Sequence, residues 1–292
     1  MVNIKKLRFM QTSNLPKISA VMCTYGRFKC VERAMNCYMA QTYPNKELII
    51  YNTDYEPKSN YNHYDPYSIL LIDSNITCVN CNIDSITQQP YTNVGAIRRD
   101  ALKWATGDYV VTWDDDDIFL PHFMQQAIDR MAETGLPAFK PEMSFFYSGT
   151  LRLVMNTLEA SVVAKMDKVR EYGYLLETGK EGLGWYTKLR DNKEMDEHDK
   201  RYLPSYCFNW HDGNEMDAPH KQSGDIDNPN NFNNHKEASK DRVNGRELQL
   251  WDEQKLRETY KPYYDYIAAH LTDFPQDLIE KYFPIQVSQE AN

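Results

Sequence analysis

Residues 110–121 read VVTWDDDDIFLP, and the four adjacent carboxylates Asp114, Asp115, Asp116 and Asp117 are the side chains best placed to do chemistry. They follow an apolar run directly, so their mutual repulsion is poorly screened and demands positive charge nearby. Extended backbone would send Asp114 and Asp116 to one side and Asp115 and Asp117 to the other. Oxygen ligands of this kind suit a hard divalent cation, Mg²⁺ or Mn²⁺, which takes few protein carboxylates and fills its shell from substrate phosphates. An acidic turn leading into the next helix, with Asp117 at the positive helix N-terminus, accounts for the run equally well. Cys78 and Cys81 form one CxxC, but no second Cys or His pair follows at zinc spacing, so they read as ordinary thiols. His211 and His220 stand in a polar stretch, and Trp185, Tyr206 and Trp210 are aromatics that either stack on a ring or fill the core.

The elements that must position these residues alternate. ISAVMC (18–23), ELIIY (47–51), SILLI (68–72), ITCVN (76–80) and YVVTW (109–113) are short apolar runs of the kind buried on both faces of a sheet. Between them, residues 28–41 carry Val31, Ala34, Met35 and Tyr38 at helical spacing, and 94–106 reads as a helix that Gly107 stops in the left-handed conformation. Residues 121–133 predict another helix, with Pro121 in its first turn. Strand–helix alternation predicts an α/β fold with a mainly parallel sheet. The second half is less regular: strands at 151–156 and 160–165, a helix at 184–191, a polar loop at 212–246 and two closing helices in the tail.

The 42 Asp and Glu outnumber 33 Lys and Arg for a net charge of −9, so bulk electrostatics recruit neither nucleic acid nor an anionic membrane. No window approaches the about eighteen apolar residues of a membrane helix, and the N-terminus lacks a signal-peptide pattern. Six cysteines in 292 residues are no disulfide framework. A soluble cytoplasmic protein is expected.

Four ordered segments across 18–133 give the chain a resemblance. ISAVMCTYGRF, AQTYPNKELII, GAIRRDALKWATGDYV and DDDDIFLP together resemble glycosyltransferase family 2, the nucleotide-sugar-dependent enzymes of the GT-A fold. The resemblance implies a central sheet flanked by helices, an irregular acceptor-side half and C-terminal helices. It divides the chain into a donor-binding half (1–140), an acceptor half (141–250) and a helical extension (251–292).

It also implies roles. Asp114 and Asp116 would hold Mn²⁺ or Mg²⁺, with Asp115 beside the donor and His220, in its His-x-x-Ser-Gly context, completing the metal shell. Cys23, Tyr25 and Arg27 map to the nucleotide wall, and Arg98 to the diphosphate. Asn52 stands where the family commonly has an aspartate for the uracil N3–H; its carbonyl can still accept that bond, which keeps a UDP-sugar as the expected donor. The family's Glu-Asp pair reads here as Glu181-Gly182, making Glu181 the expected general base and Glu177 the second choice. The implied reaction is an inverting sugar transfer to a glycan hydroxyl. A hydroxylated base of viral DNA is the alternative acceptor, and a degenerate nucleotide- or glycan-binding protein the alternative class. A dinucleotide-dependent oxidoreductase is set aside, because no G-x-G-x-x-G follows the first strand.

Overall fold

The apolar runs do become the centre of a sheet. In the computed structural model, which describes residues 15–54, 74–147, 151–156, 158–197, 204–209, 266, 267 and 269, β1 (Ile18–Thr24) and β2 (Lys46–Asn52) are buried almost throughout. β1 lies between β2 and β4 (Tyr109–Thr112), and β3 (Ile76–Asn80) closes that edge; all four strands are parallel. The sheet extends past β4 through β9 (Val163–Lys165), antiparallel to its neighbours, then β6 (Ala138–Phe139) and β10 (Met195–Asp196). The order is β10-β6-β9-β4-β1-β2-β3. Strands from both sides of residue 140 thus share one sheet.

Alternation along β1 and β2 sorts the core into two layers. Ile18, Ala20, Met22, Leu48 and Ile50 pack with Val31 and Ala34 of α1 (Phe28–Met39) and Phe123 and Met124 of α3 (Phe123–Thr134). Val21, Ile49 and Tyr51 face the other way. They pack with Ala101 of α2 (Val94–Ala101), Val169 of α4 (Met166–Tyr172), and Trp185 and Leu189 of α5 (Leu183–Asp191). A second sheet, ordered β5-β11-β7-β8, joins β5 (Ile118–Phe119), β11 (Tyr206–Asn209), β7 (Met143–Tyr147) and β8 (Leu151–Met155).

Two expectations change. α2 gives way at Leu102–Trp104 to a 3₁₀ turn, and Gly107 does not take a positive φ. Glycine is needed there for closeness instead: its N–H donates to Ser19 Oγ at 2.8 Å, and a Cβ would stand 2.7 Å from the Lys17 carbonyl. The segment 160–165 is a 3₁₀ turn (Glu159–Ser161) followed by β9, not one strand. The predicted strand 68–72, the polar loop 212–246 and the closing helices, apart from the helical Tyr266 and Ile267, lie outside the described residues. Among the described residues no helix is long and apolar enough to cross a membrane.

Candidate active site

The site forms at the C-terminal edge of β1, β2 and β4, where open α/β sheets offer a crevice. β4 ends against Trp113, which is fully buried, stacks on Phe119 and donates from Nε1 to the Ala34 carbonyl at 3.0 Å. The aspartates follow as a turn, so the expected alternation of faces does not hold. Arg27, in the turn after β1, reaches two of them. Its Nε and Nη2 donate to Asp115, and its Nη1 donates to Asp116 Oδ2 at 2.9 Å. Thr24 Oγ1 adds a bond to Asp115 Oδ2 at 2.6 Å. The Asp116 carbonyl accepts from Arg33 at 3.0 Å and from Asn209 Nδ2 at 2.9 Å, which fixes the turn.

Asp115 is fully buried and held by Thr24 and Arg27. Its expected contact with the donor is therefore corrected to one that orients Arg27. Asp117, equally buried, takes bonds from the Tyr206 hydroxyl and from the Asn209 N–H at 3.0 Å. It belongs to the joint with the second sheet and does not lead the next helix. Tyr206 and Trp185 are likewise core, whereas Trp210 lies outside the described residues.

Arg98 is the central cation on the other side. It projects from α2, is 8% exposed, and its Nη2 lies 3.0 Å from both Asp114 Oδ1 and Glu181 Oε1. Among the described residues its Nε and Nη1 are buried with no hydrogen-bond partner, as is Glu181 Oε2. The local balance is negative. Burial pushes the Asp114 carboxyl up, with Arg98 pulling against it and Asp116 and Glu181 adding to the rise. Burial, then the Asp116 charge, raises Asp115 to about 7 despite Arg27 and Thr24. Burial raises the Cys23 thiol to about 12; Arg98 opposes this and the carboxylates reinforce it, so Cys23 is an inert part of the wall.

A divalent cation fits this imbalance. Among the described residues no three His, Cys, Asp or Glu side chains converge as a complete metal site. Asp114 and Asp116 supply two hard oxygen donors in a place with surplus negative charge, leaving the rest of a shell to phosphate oxygens. His220 and His211 lie outside the described residues, and Cys78 and Cys81 are free thiols.

Tyr25, in the turn after β1, is 65% exposed. Asn52 is corrected. It is buried, its carbonyl accepts the N–H groups of Gly26 (3.3 Å) and Asp54 (3.1 Å), and its NH₂ donates to Asn80 Oδ1 at 2.9 Å. The amide is spent on holding the β1 turn, so no free edge remains for a base. Glu177 is exposed, and its carbonyl accepts the Gly95 N–H at 3.1 Å. Sequence reasoning did not single out Glu159, a half-buried carboxylate beside Gly182. Its context, TLEAS, carries no spacing that marks it.

With this geometry in hand, known proteins give a consistent picture. The sequence profile of a family described as Glycosyl transferase family 2 matches residues 19–179, more than half of the chain and ending just before Glu181. A protein of Escherichia coli K12 named for colanic acid biosynthesis, the glycosyl transferase WcaA, is 30% identical over 109 residues, covering 37% of this chain and 36% of its own length. The E. coli UDP-Glc:alpha-D-GlcNAc-diphosphoundecaprenol beta-1,3-glucosyltransferase WfgD is 23% identical over 174 residues, 60% of each chain. The chain therefore spans less than two thirds of these relatives. Among solved structures, residues 1–349 of S. aureus TarS with UDP-GlcNAc align with a TM-score of 0.53 at 16% identity, over 69% of this chain and 61% of that one. The mannosyltransferase PcManGT of Pyrobaculum calidifontis, with GDP-Man and Mn²⁺, gives 0.52 at 13%, over 73% and 62%. Likeness at this identity establishes the GT-A fold.

Proposed function

As the chain belongs to glycosyl transferase family 2, we propose that it transfers one sugar, with inversion, from a nucleoside-diphosphate donor to a glycan hydroxyl. The observation that carries this reading is Arg98, a buried guanidinium beside the aspartate run whose Nε and Nη1 have no hydrogen-bond partner among the described residues. Unmet donors on a buried cation are costly unless a ligand's oxygens complete them, and a diphosphate matches the planar fork. Residues 1–140 then carry the donor-binding half and 141–250 the acceptor half.

Asp114 and Asp116 would hold a divalent cation, which would supply charge neutralisation to a departing diphosphate. Tyr25 offers its exposed ring to the base. With Asn52 turned inward, the acceptor for a base N–H falls to the exposed Asp54. A UDP-sugar is the donor favoured by the UDP-GlcNAc in TarS and the UDP-Glc in the name of WfgD. Mn²⁺ is favoured by its presence beside GDP-Man in PcManGT. Glu181, fixed by Arg98, keeps that arginine in place.

The test needs no acceptor, since water can substitute. UDP-glucose, UDP-GlcNAc and GDP-mannose are each incubated with the chain, with and without Mn²⁺, beside Asp116→Ala. We expect metal-dependent release of nucleoside diphosphate from one of them, reduced by about 100-fold or more in the variant. If the wild-type chain neither releases nor binds nucleotide in a metal-dependent way, the transferase reading falls.

A further inference from the structure

The proposed transfer needs a group that accepts the acceptor's proton, and Glu181 is badly placed for it. One of its oxygens is paired with Arg98 and the other is buried. A base must be free and within reach of the incoming hydroxyl. Glu159 is less encumbered. It opens the 3₁₀ turn between β8 and β9 and is half-buried; its carboxylate accepts its own backbone N–H, and among the described residues no cation is ion-paired with it.

Its position is tied to Gly182. A Cβ at residue 182 would overlap Glu159 Cγ and stand 3.1 Å from Cδ and Oε1. The glutamate thus occupies the space that a side chain at 182 would need, next to Glu181 at the start of α5. The turn that presents it is braced. Asn156 Nδ2 donates to Ser161 Oγ at 2.7 Å, Ser161 Oγ donates to the Leu158 carbonyl at 2.8 Å, and Leu158 N–H donates to Asn156 Oδ1 at 3.1 Å. The charged groups acting on Glu159 are Arg98, Glu181 and Asp114, the same three that line the site.

Resting on the transferase reading, we propose that the Glu159 carboxylate is the general base, filling from a different element the place that Gly182 leaves empty. The acceptor oxygen's lone pair forms the new bond to the anomeric carbon. The bond from that carbon to the diphosphate breaks with its electron pair on the phosphate oxygen, and the acceptor's proton passes to Glu159. Burial raises the Glu159 carboxyl above the usual range, opposed by Arg98 and by its own backbone N–H and reinforced by Glu181 and Asp114, which makes it a stronger base than a free carboxylate.

The experiment follows nucleoside diphosphate release to water from UDP-glucose, UDP-GlcNAc and GDP-mannose with Mn²⁺, together with the affinity for UDP, in the full chain. Glu159→Gln keeps the shape and removes the base. We expect release to fall by about 100-fold with UDP affinity unchanged. The reciprocal pair Glu159→Ala with Gly182→Asp moves a carboxylate into the vacated space and recovers release relative to Glu159→Ala alone, which a merely structural role would not produce. Wild-type release in Glu159→Gln overturns the proposal and leaves the transferase standing, and so does loss of UDP affinity in step with release. A wild-type chain that binds UDP with metal but releases nothing from any donor overturns the base and the transferase together.

Discussion

The two sides of the site, one built on Arg27 and the other on Arg98, neutralise their charge differently. On the Arg27 side the partners are redundant: Asp115 is held by both Thr24 and Arg27, and Arg27 also holds Asp116, whose backbone is pinned by Arg33 and Asn209. On the other side a single nitrogen of Arg98 serves Asp114 and Glu181 together, and Glu159 has no ion-pair partner among the described residues. Redundant pairing holds one wall from several directions. Sparse pairing leaves the other with surplus negative charge, which suits the cation, diphosphate and proton of the proposed reaction.

The contrast is tested most severely at its sparse end. Arg98→Ala removes the counter-ion of two largely buried carboxylates at once, and we expect it to destabilise the metal-free protein by about 3–5 kcal/mol, measured by urea unfolding. Arg98→Lys returns the charge without the planar fork and should recover part of the loss. A cost for the alanine variant under about 1 kcal/mol would mean that Asp114 and Glu181 are already solvated, and the two sides would not differ as described.

Asp117 marks where the run leaves the site. Tyr206→Phe deletes one of its two side-chain bonds and leaves the Asn209 N–H. The expected loss is about 1–3 kcal/mol in the same unfolding assay, with nucleoside diphosphate release per folded molecule unchanged. A matching fall in release would place Asp117 with the site rather than with the joint between the sheets.

The Arg27 wall was also the legible one. Ile18–Thr24 and Lys46–Asn52 are long, continuously apolar strands, so their burial and parallel pairing follow from pattern alone. The short strands were less open to reading for physical reasons. β5, β6 and β10 are two residues each, too short for any periodicity, and exist because neighbouring strands pair with them. The aspartate run was recognisable as a site, but the division of labour within it was not. Asp115 and Asp117 are buried by contacts from Thr24, Arg27, Tyr206 and Asn209, all of them about ninety residues away in sequence. Asn52 misled for the same reason: its chemistry permits base recognition, and only the fold reveals that Gly26, Asp54 and Asn80 already use its amide. Glu159 was invisible because its importance comes from the absence of a side chain at Gly182, a relation that no local pattern encodes.

The smallest expected effect probes redundancy itself. Thr24→Val keeps the branched shape that packs at the end of β1 and removes only the hydroxyl donor to Asp115. Arg27 still covers both carboxylate oxygens, through Nε at 3.1 Å to Oδ2 and through Nη2 to Oδ1. Asp115 is therefore not left with an unmet acceptor, and the cost should stay near the net worth of one hydrogen bond, about 1 kcal/mol. The Tyr206 variant, by contrast, leaves one oxygen of Asp117 without the donor it had, so it should cost more although each variant deletes one hydroxyl. Measured side by side by urea unfolding, a Thr24 variant as costly as Arg98→Ala would mean that the guanidinium cannot hold Asp115 alone. The Arg27 wall would then depend on single contacts as much as the Arg98 wall does.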